Sequence, residues 1–80
     1  MSNSVRFTLE CSDVEQCRVF FEPDGAEVIV TDKETLTVEI RGGDEDDLIE
    51  LTYVPNGVVV WARAGAETLV WDASGERIKV

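Results

Sequence analysis

Carboxylates are the reactive groups this chain has in number: 17 Asp and Glu against 7 Lys and Arg, with no histidine. Without an imidazole, nothing is set to act as general base near neutral pH or to activate a serine or cysteine. Ser2, Ser4, Ser12 and Ser74 fall in the N-terminus and in turn sequences, with no nucleophile elbow around them. Paired carboxylates alone can hydrolyse glycosides, but only where a cleft admits a sugar. A packed 80-residue chain has little room for one. No glycine-rich phosphate loop with its lysine occurs either. The expectation is a protein that is not an enzyme and carries no cofactor.

The densest acidic run is Gly42-Gly43-Asp44-Glu45-Asp46-Asp47. It lacks the ligand spacing and central glycine of a calcium-binding helix-loop-helix, so no metal site is expected. Two readings remain for it: a solvated hairpin loop, or an acidic finger that inserts into a basic groove. Cys11 and Cys17 cannot by themselves complete a tetrahedral zinc site, and their spacing suits neither a zinc knuckle nor a redox motif. In a cytosolic chain a reduced, buried pair is expected; a disulfide across a hairpin is the oxidised alternative.

The net charge of −10 repels nucleic acid and anionic membranes, and speeds encounter with a basic partner. Solubility or adaptation to high salt explains the same number without any partner. The start, Met1-Ser2-Asn3-Ser4, has no basic stretch followed by an apolar one, and no apolar run approaches a membrane span. A cytoplasmic protein is the expectation.

These groups need elements to hold them. An apolar fraction of 44% suits a folded chain rather than an acidic tail, and 80 residues suit one domain, here 1–80 with 1–3 as a flexible N-terminus. Turn sequences recur at 12–16, 23–25, 32–34, 42–47, 55–57, 65–66 and 74–75, and apolar residues alternate between them. That pattern predicts an all-β domain. Eight short strands follow, at 4–11, 17–22, 26–31, 35–41, 48–54, 58–64, 67–73 and 76–80. A short helix near 12–17 competes for one segment, because Ser12 and Glu15 form a capping-box pattern. Paired as successive antiparallel hairpins, the strands make a meander that rolls into a small barrel or folds into a two-layer sandwich.

In that register one face gathers Val5, Phe7, Leu9, Cys11, Cys17, Val19, Phe21, Val28, Val30, Leu36, Val38, Ile40, Ile49, Leu51, Tyr53, Val60, Ala62, Leu69, Trp71, Ile78 and Val80 as the core. The opposite face carries two rows. The first is Glu22, Glu27, Glu39, Glu50 and Arg63; four like charges side by side cost stability and ask for a cationic partner, high salt or a different register. The second, Phe20, Ile29, Thr37, Thr52, Trp61, Val70 and Lys79, is an apolar band, and a tryptophan there is a natural interface anchor.

The expected binding residues are therefore Glu22, Glu27, Glu39, Glu50, Asp44, Glu45, Asp46, Asp47, Phe20, Ile29 and Trp61. Two functions follow from them. One is an inhibitor that occupies the basic, nucleic-acid-binding surface of a partner protein, as small acidic phage inhibitors of restriction and CRISPR nucleases do. The other is a self-associating module, a homodimer through the apolar band, whose charge serves solubility or halophily.

Overall fold

Val, Ile, Thr and aromatic residues alternate with polar ones between clusters of Gly, Pro, Asn and Asp, and such segments fit a half-buried pleat. A computed structural model describes residues 3–80; the first two residues of the expected flexible N-terminus, Met1 and Ser2, lie outside the described residues. The strands are β1 (Ser4–Glu10), β2 (Gln16–Glu22), β3 (Ala26–Thr31), β4 (Thr35–Gly42), β5 (Glu50–Val54), β6 (Gly57–Trp61), β7 (Ala66–Trp71) and β8 (Arg77–Ile78). The chain is all-β. No helix occurs among the described residues, so the helical alternative at 12–17 is set aside. There Cys17, Val19 and Phe21 take the inward pleat of β2, and sheet pairing on both of its sides outweighs the local capping pattern.

The strands form a two-layer sandwich, not a closed barrel. One four-stranded sheet has the order β1-β4-β7-β8, the other β3-β2-β6-β5. The meander expectation is corrected by this order. Only β2–β3, β5–β6 and β7–β8 pair as sequence neighbours. The connections β1→β2, β3→β4, β4→β5 and β6→β7 cross between layers, and β2 and β6 run parallel. The physical reason is area: crossing lets each apolar face cover another, where an open eight-stranded meander would leave its face in water.

The inward pleat agrees with the expected core for seven strands. Cys11, Val19, Phe21, Val30, Leu36, Val38, Ile40, Val58, Val60 and Val70 form the buried cluster. Strand β7 is the exception. Val70 pairs with Val38 and faces the core, so Leu69 and Trp71 lie on the other face of the first sheet, opposite Glu39 and Thr37; Leu69 is nevertheless buried there, as expected, at 5% exposure. The expected two-residue hairpin at Gly65-Ala66 is instead a layer crossing over 62–65, which changes the parity of β7; β8 keeps its expected parity, with Ile78 opposite Val70 and against the core.

Cys11 and Cys17 form a disulfide with Cα atoms 5.7 Å apart. It ties the end of β1 to the start of β2 across the layers, in place of the reduced pair. Asn3 is also held: its carbonyl accepts from the Gly42 N–H at 2.6 Å, and its amide donates to the Gly43 carbonyl at 3.0 Å.

Gly57 fixes the contact between β2 and β6. A Cβ there would fall on the backbone of Arg18, so only glycine lets the two parallel strands meet. That contact positions β6, and with it the tryptophan considered next.

Candidate protein-binding face

The outer face of the second sheet is a lattice of three cross-strand rows. One row is Glu22, Trp61, Glu50, across β2, β6 and β5. The next is Glu27, Phe20, Val59, Thr52, across β3, β2, β6 and β5. The third is Ile29, Arg18, Gly57, Val54. Phe20, Ile29 and Trp61 therefore share one face, as expected. Trp61 is 42% exposed and Ile29 52% exposed. Thr37 lies on the other sheet and Val70 in the core, so the apolar band is shorter than the sequence register had it.

The expected row of four glutamates does not exist. Glu39 sits on the outer face of the first sheet, between Arg6 at 3.4 Å and Arg41 at 2.8 Å, with its side chain only 12% exposed. It is part of an ion cluster and is separated from the other three. Arg6 also lies over the Trp71 ring, 4.9 Å from its centroid, with Arg77 at 5.8 Å. On the second sheet Glu27 pairs with Arg18 at 3.3 Å. Glu22 and Glu50 have no such partner among the described residues, and Trp61 stands between them. Two strand spacings, about 9.6 Å, separate these carboxylates, which removes the like-charge problem of direct neighbours. Arg63, placed at the end of that row by sequence, instead reaches Asn3 with a guanidinium N–H.

The acidic loop lies at the same end of the sandwich as Glu22, Trp61 and Glu50, since it joins β4 to β5 just before Glu50. Two of its four carboxylates build the loop. Asp44 Oδ1 accepts from the Asp46 N–H at 3.0 Å, and Asp47 Oδ2 accepts from the Ala64 N–H at 3.0 Å. The Asp44 N–H in turn donates to the Ala64 carbonyl at 3.0 Å. Gly43 makes this docking tight; a Cβ there would meet Ala66 and the Ala64 carbonyl. Glu45 and Asp46 are left with carboxylates pointing to no partner among the described residues. The loop is a braced turn against 62–66 rather than a loose finger.

What sequence reasoning missed is at the other end. A groove of about 560 Å³ opens between the end of β1 and the β5–β6 hairpin, lined by Leu9, Val14, Tyr53, Pro55 and the disulfide among others. The expected filled interior is therefore open on this side. No cluster of three or more His, Cys, Asp or Glu side chains among the described residues is arranged to hold a metal ion. Among the described residues no helix is long and apolar enough to cross a membrane. The chain matches no protein-family model, and neither a curated protein nor a solved structure is similar to it.

Proposed function

We propose that this chain is a non-catalytic binding module that covers a basic surface of a partner protein, a surface that otherwise holds nucleic acid. The observation that carries the reading is the row Glu22–Trp61–Glu50. A half-exposed indole between two carboxylates without cationic partners offers an apolar anchor with charge on both sides. Glu45 and Asp46 extend the negative field at the same end. Phosphate-binding sites on proteins are built from Lys and Arg, and a fixed set of carboxylates fits such a site as a competitor. Inhibitors of restriction and CRISPR nucleases encoded by phages are the functional class this suggests. The partner is basic; direct binding to nucleic acid or to an anionic membrane is opposed by charge.

The test is capture and competition. The immobilised chain is expected to retain basic nucleic-acid-binding proteins from a bacterial extract at about 50 mM salt and to lose them by about 500 mM, where screening shortens the range of these charges to a few ångströms. Duplex DNA should release them. Glu22→Lys combined with Glu50→Lys should weaken retention at least tenfold, as should Trp61→Ala. Retention that survives both variants sinks the reading. The cellular redox state of Cys11 and Cys17 tests the compartment, because a disulfide that persists in cells indicates an oxidising one.

A further inference from the structure

We propose that Trp61 takes an arginine side chain of the partner, its guanidinium stacked on the indole and its N–H groups reaching Glu22 on one side and Glu50 on the other. The proposal rests on the binding reading above and gives one contact its chemistry. The fold contains its own precedent. On the outer face of the first sheet, Arg6 lies over the Trp71 ring, 4.9 Å from its centroid, and its Nε stands 3.4 Å from Glu39. Glu39 belongs to β4, the strand beside Trp71, one row along. A tryptophan, a carboxylate on the adjacent strand and a stacked guanidinium thus form one unit within this chain.

The second sheet holds the same unit without its cation. Trp61 has a carboxylate on both adjacent strands, Glu22 on β2 and Glu50 on β5, each in register with it. Among the described residues the cations that lie over a tryptophan, Arg6 and Arg77, are both at Trp71. Arg18 shares the face of Trp61 but pairs with Glu27, and four residues of β2, about 13 Å, separate it from Glu22. Arg63 follows Trp61 by two residues and donates to Asn3. The indole is half-exposed, and Glu22 and Glu50 form no ion pair among the described residues.

This geometry selects arginine. The strands beside β6 stand about 4.8 Å away on each side. A guanidinium lying flat on the indole points its N–H donors sideways in its own plane, toward both flanking carboxylates. A lysine ammonium is a compact, strongly hydrated charge without that planar spread of donors, and it stacks less well. An apolar side chain would cover the ring but leave two carboxylates partly desolvated and unpaired. An anion is opposed by both carboxylates and by the net charge of −10. Arginine satisfies the ring and both charges together. It is also the residue that grips phosphates in bidentate fashion, so the contact would occupy a phosphate-binding group of the partner.

Nuclear magnetic resonance of the isotope-labelled, oxidised full chain tests this at low salt. The probe is acetyl-Gly-Arg-Gly-amide, added to about 50 mM, the range a single side chain supports. The matched Gly-Lys-Gly peptide carries the same charge. The Trp61 indole N–H signal should shift and saturate with the arginine peptide, with roughly threefold higher affinity than for the lysine peptide. The Trp71 signal, already covered by Arg6, should move little. Glu22→Gln combined with Glu50→Gln should weaken arginine binding roughly threefold or more, while amide signals elsewhere stay in place and show an intact fold. Trp61→Leu should remove the preference for arginine, read from the amide signals of Glu22 and Glu50. A Trp61 signal unmoved at about 50 mM, equal affinity for the two peptides, or affinity untouched by the double glutamine variant overturns the proposal. Capture of basic proteins together with equal affinity for both peptides overturns the arginine contact alone. Arginine preference without such capture upholds the contact and sinks the wider reading.

Discussion

Gly57→Ala is expected to cost far more than a single methyl group suggests. Gly57 does not have positive φ, so the backbone torsion would accept alanine. The obstacle is the neighbouring strand: the new Cβ would overlap the oxygen, carbon and nitrogen of Arg18, all backbone atoms. No side chain can swing aside to make room. Strand β6 must move away from β2 at this point, which breaks the hydrogen bond from the Arg18 N–H to the Asn56 carbonyl, worth about 1 kcal/mol. Overpacking adds roughly 1–3 kcal/mol. Reduced freedom of the unfolded chain offsets about 0.4–1 kcal/mol of this. The net loss is about 2 kcal/mol, and a chain of this size should melt roughly 8–16 °C lower. Urea and thermal unfolding of the oxidised protein, followed by tryptophan fluorescence, measure it. Because β6 carries Trp61, the variant should also alter the emission of that residue before unfolding begins. An alanine variant as stable as the parent would refute the parallel β2–β6 contact, and with it the row that joins Glu22, Trp61 and Glu50.

Other perturbations read separate parts of the fold. Reducing the Cys11–Cys17 bond, which closes a short loop, should lower unfolding free energy by about 2 kcal/mol on the chain-entropy estimate, measured by urea titration with and without reductant. Asp72 is held below its ordinary carboxyl value of 3.8, first by the Ser74 hydroxyl and then by the Glu76 N–H. Its contribution to the 72–76 turn is therefore complete above that value and is lost as pH falls through the lower folded-state value; carboxyl NMR titration should show the depression, and Ser74→Ala should reduce it. Arg6→Ala removes one of two cations beside Glu39 and uncovers the Trp71 ring. It should cost up to about 1 kcal/mol, mostly from lost stacking and packing, and shift part of the tryptophan emission to the red.

Much of this architecture was legible in the sequence, and the failures share a cause. Alternation in Leu36-Thr37-Val38-Glu39-Ile40 states which side chains face inward, and this holds whichever strand lies beside them. Turn sequences mark where the chain reverses. Neither signal says whether the next strand returns to the same sheet or crosses to the other. Asp32-Lys33-Glu34 and Pro55-Asn56-Gly57 look alike as punctuation, yet the first carries the chain across layers and the second closes a hairpin. Pairings such as β1 with β4 are non-local and have no signature in a local window. Strand β7 failed for another reason: Leu69, Val70 and Trp71 are consecutive apolar residues without alternation, so parity rested on the preceding turn alone. The outer-face set Phe20, Ile29 and Trp61 survived although Val19-Phe20-Phe21, Val28-Ile29-Val30 and Val58-Val59-Val60-Trp61 lack alternation too; their parity rested on the turns at 23–25 and 55–57, and β2–β3 and β5–β6 do pair as hairpins there. The glutamate row did not survive, because a row depends on strand order.

The fate of the carboxylates shows how an acidic chain can fold this way. Asp32, Glu34, Asp44, Asp47 and Asp72 each accept hydrogen bonds from a nearby turn or loop, where a short acidic side chain substitutes for missing backbone partners. Glu27 and Glu39 are neutralised by arginine. These acids have structural work, and their number alone says little about a partner. Of the acids without such a role among the described residues, Glu22, Glu45, Asp46 and Glu50 gather at the Trp61 end; Glu10, Asp13, Glu15, Asp24, Glu67 and Glu76 have no such role either. Neutralising Asp44 or Asp47 should therefore perturb the loop and its stability, whereas neutralising Glu22 or Glu50 should leave stability unchanged or slightly raised. If partner binding follows the first pair and ignores the second, loop shape rather than the Glu22–Trp61–Glu50 row is what the partner recognises.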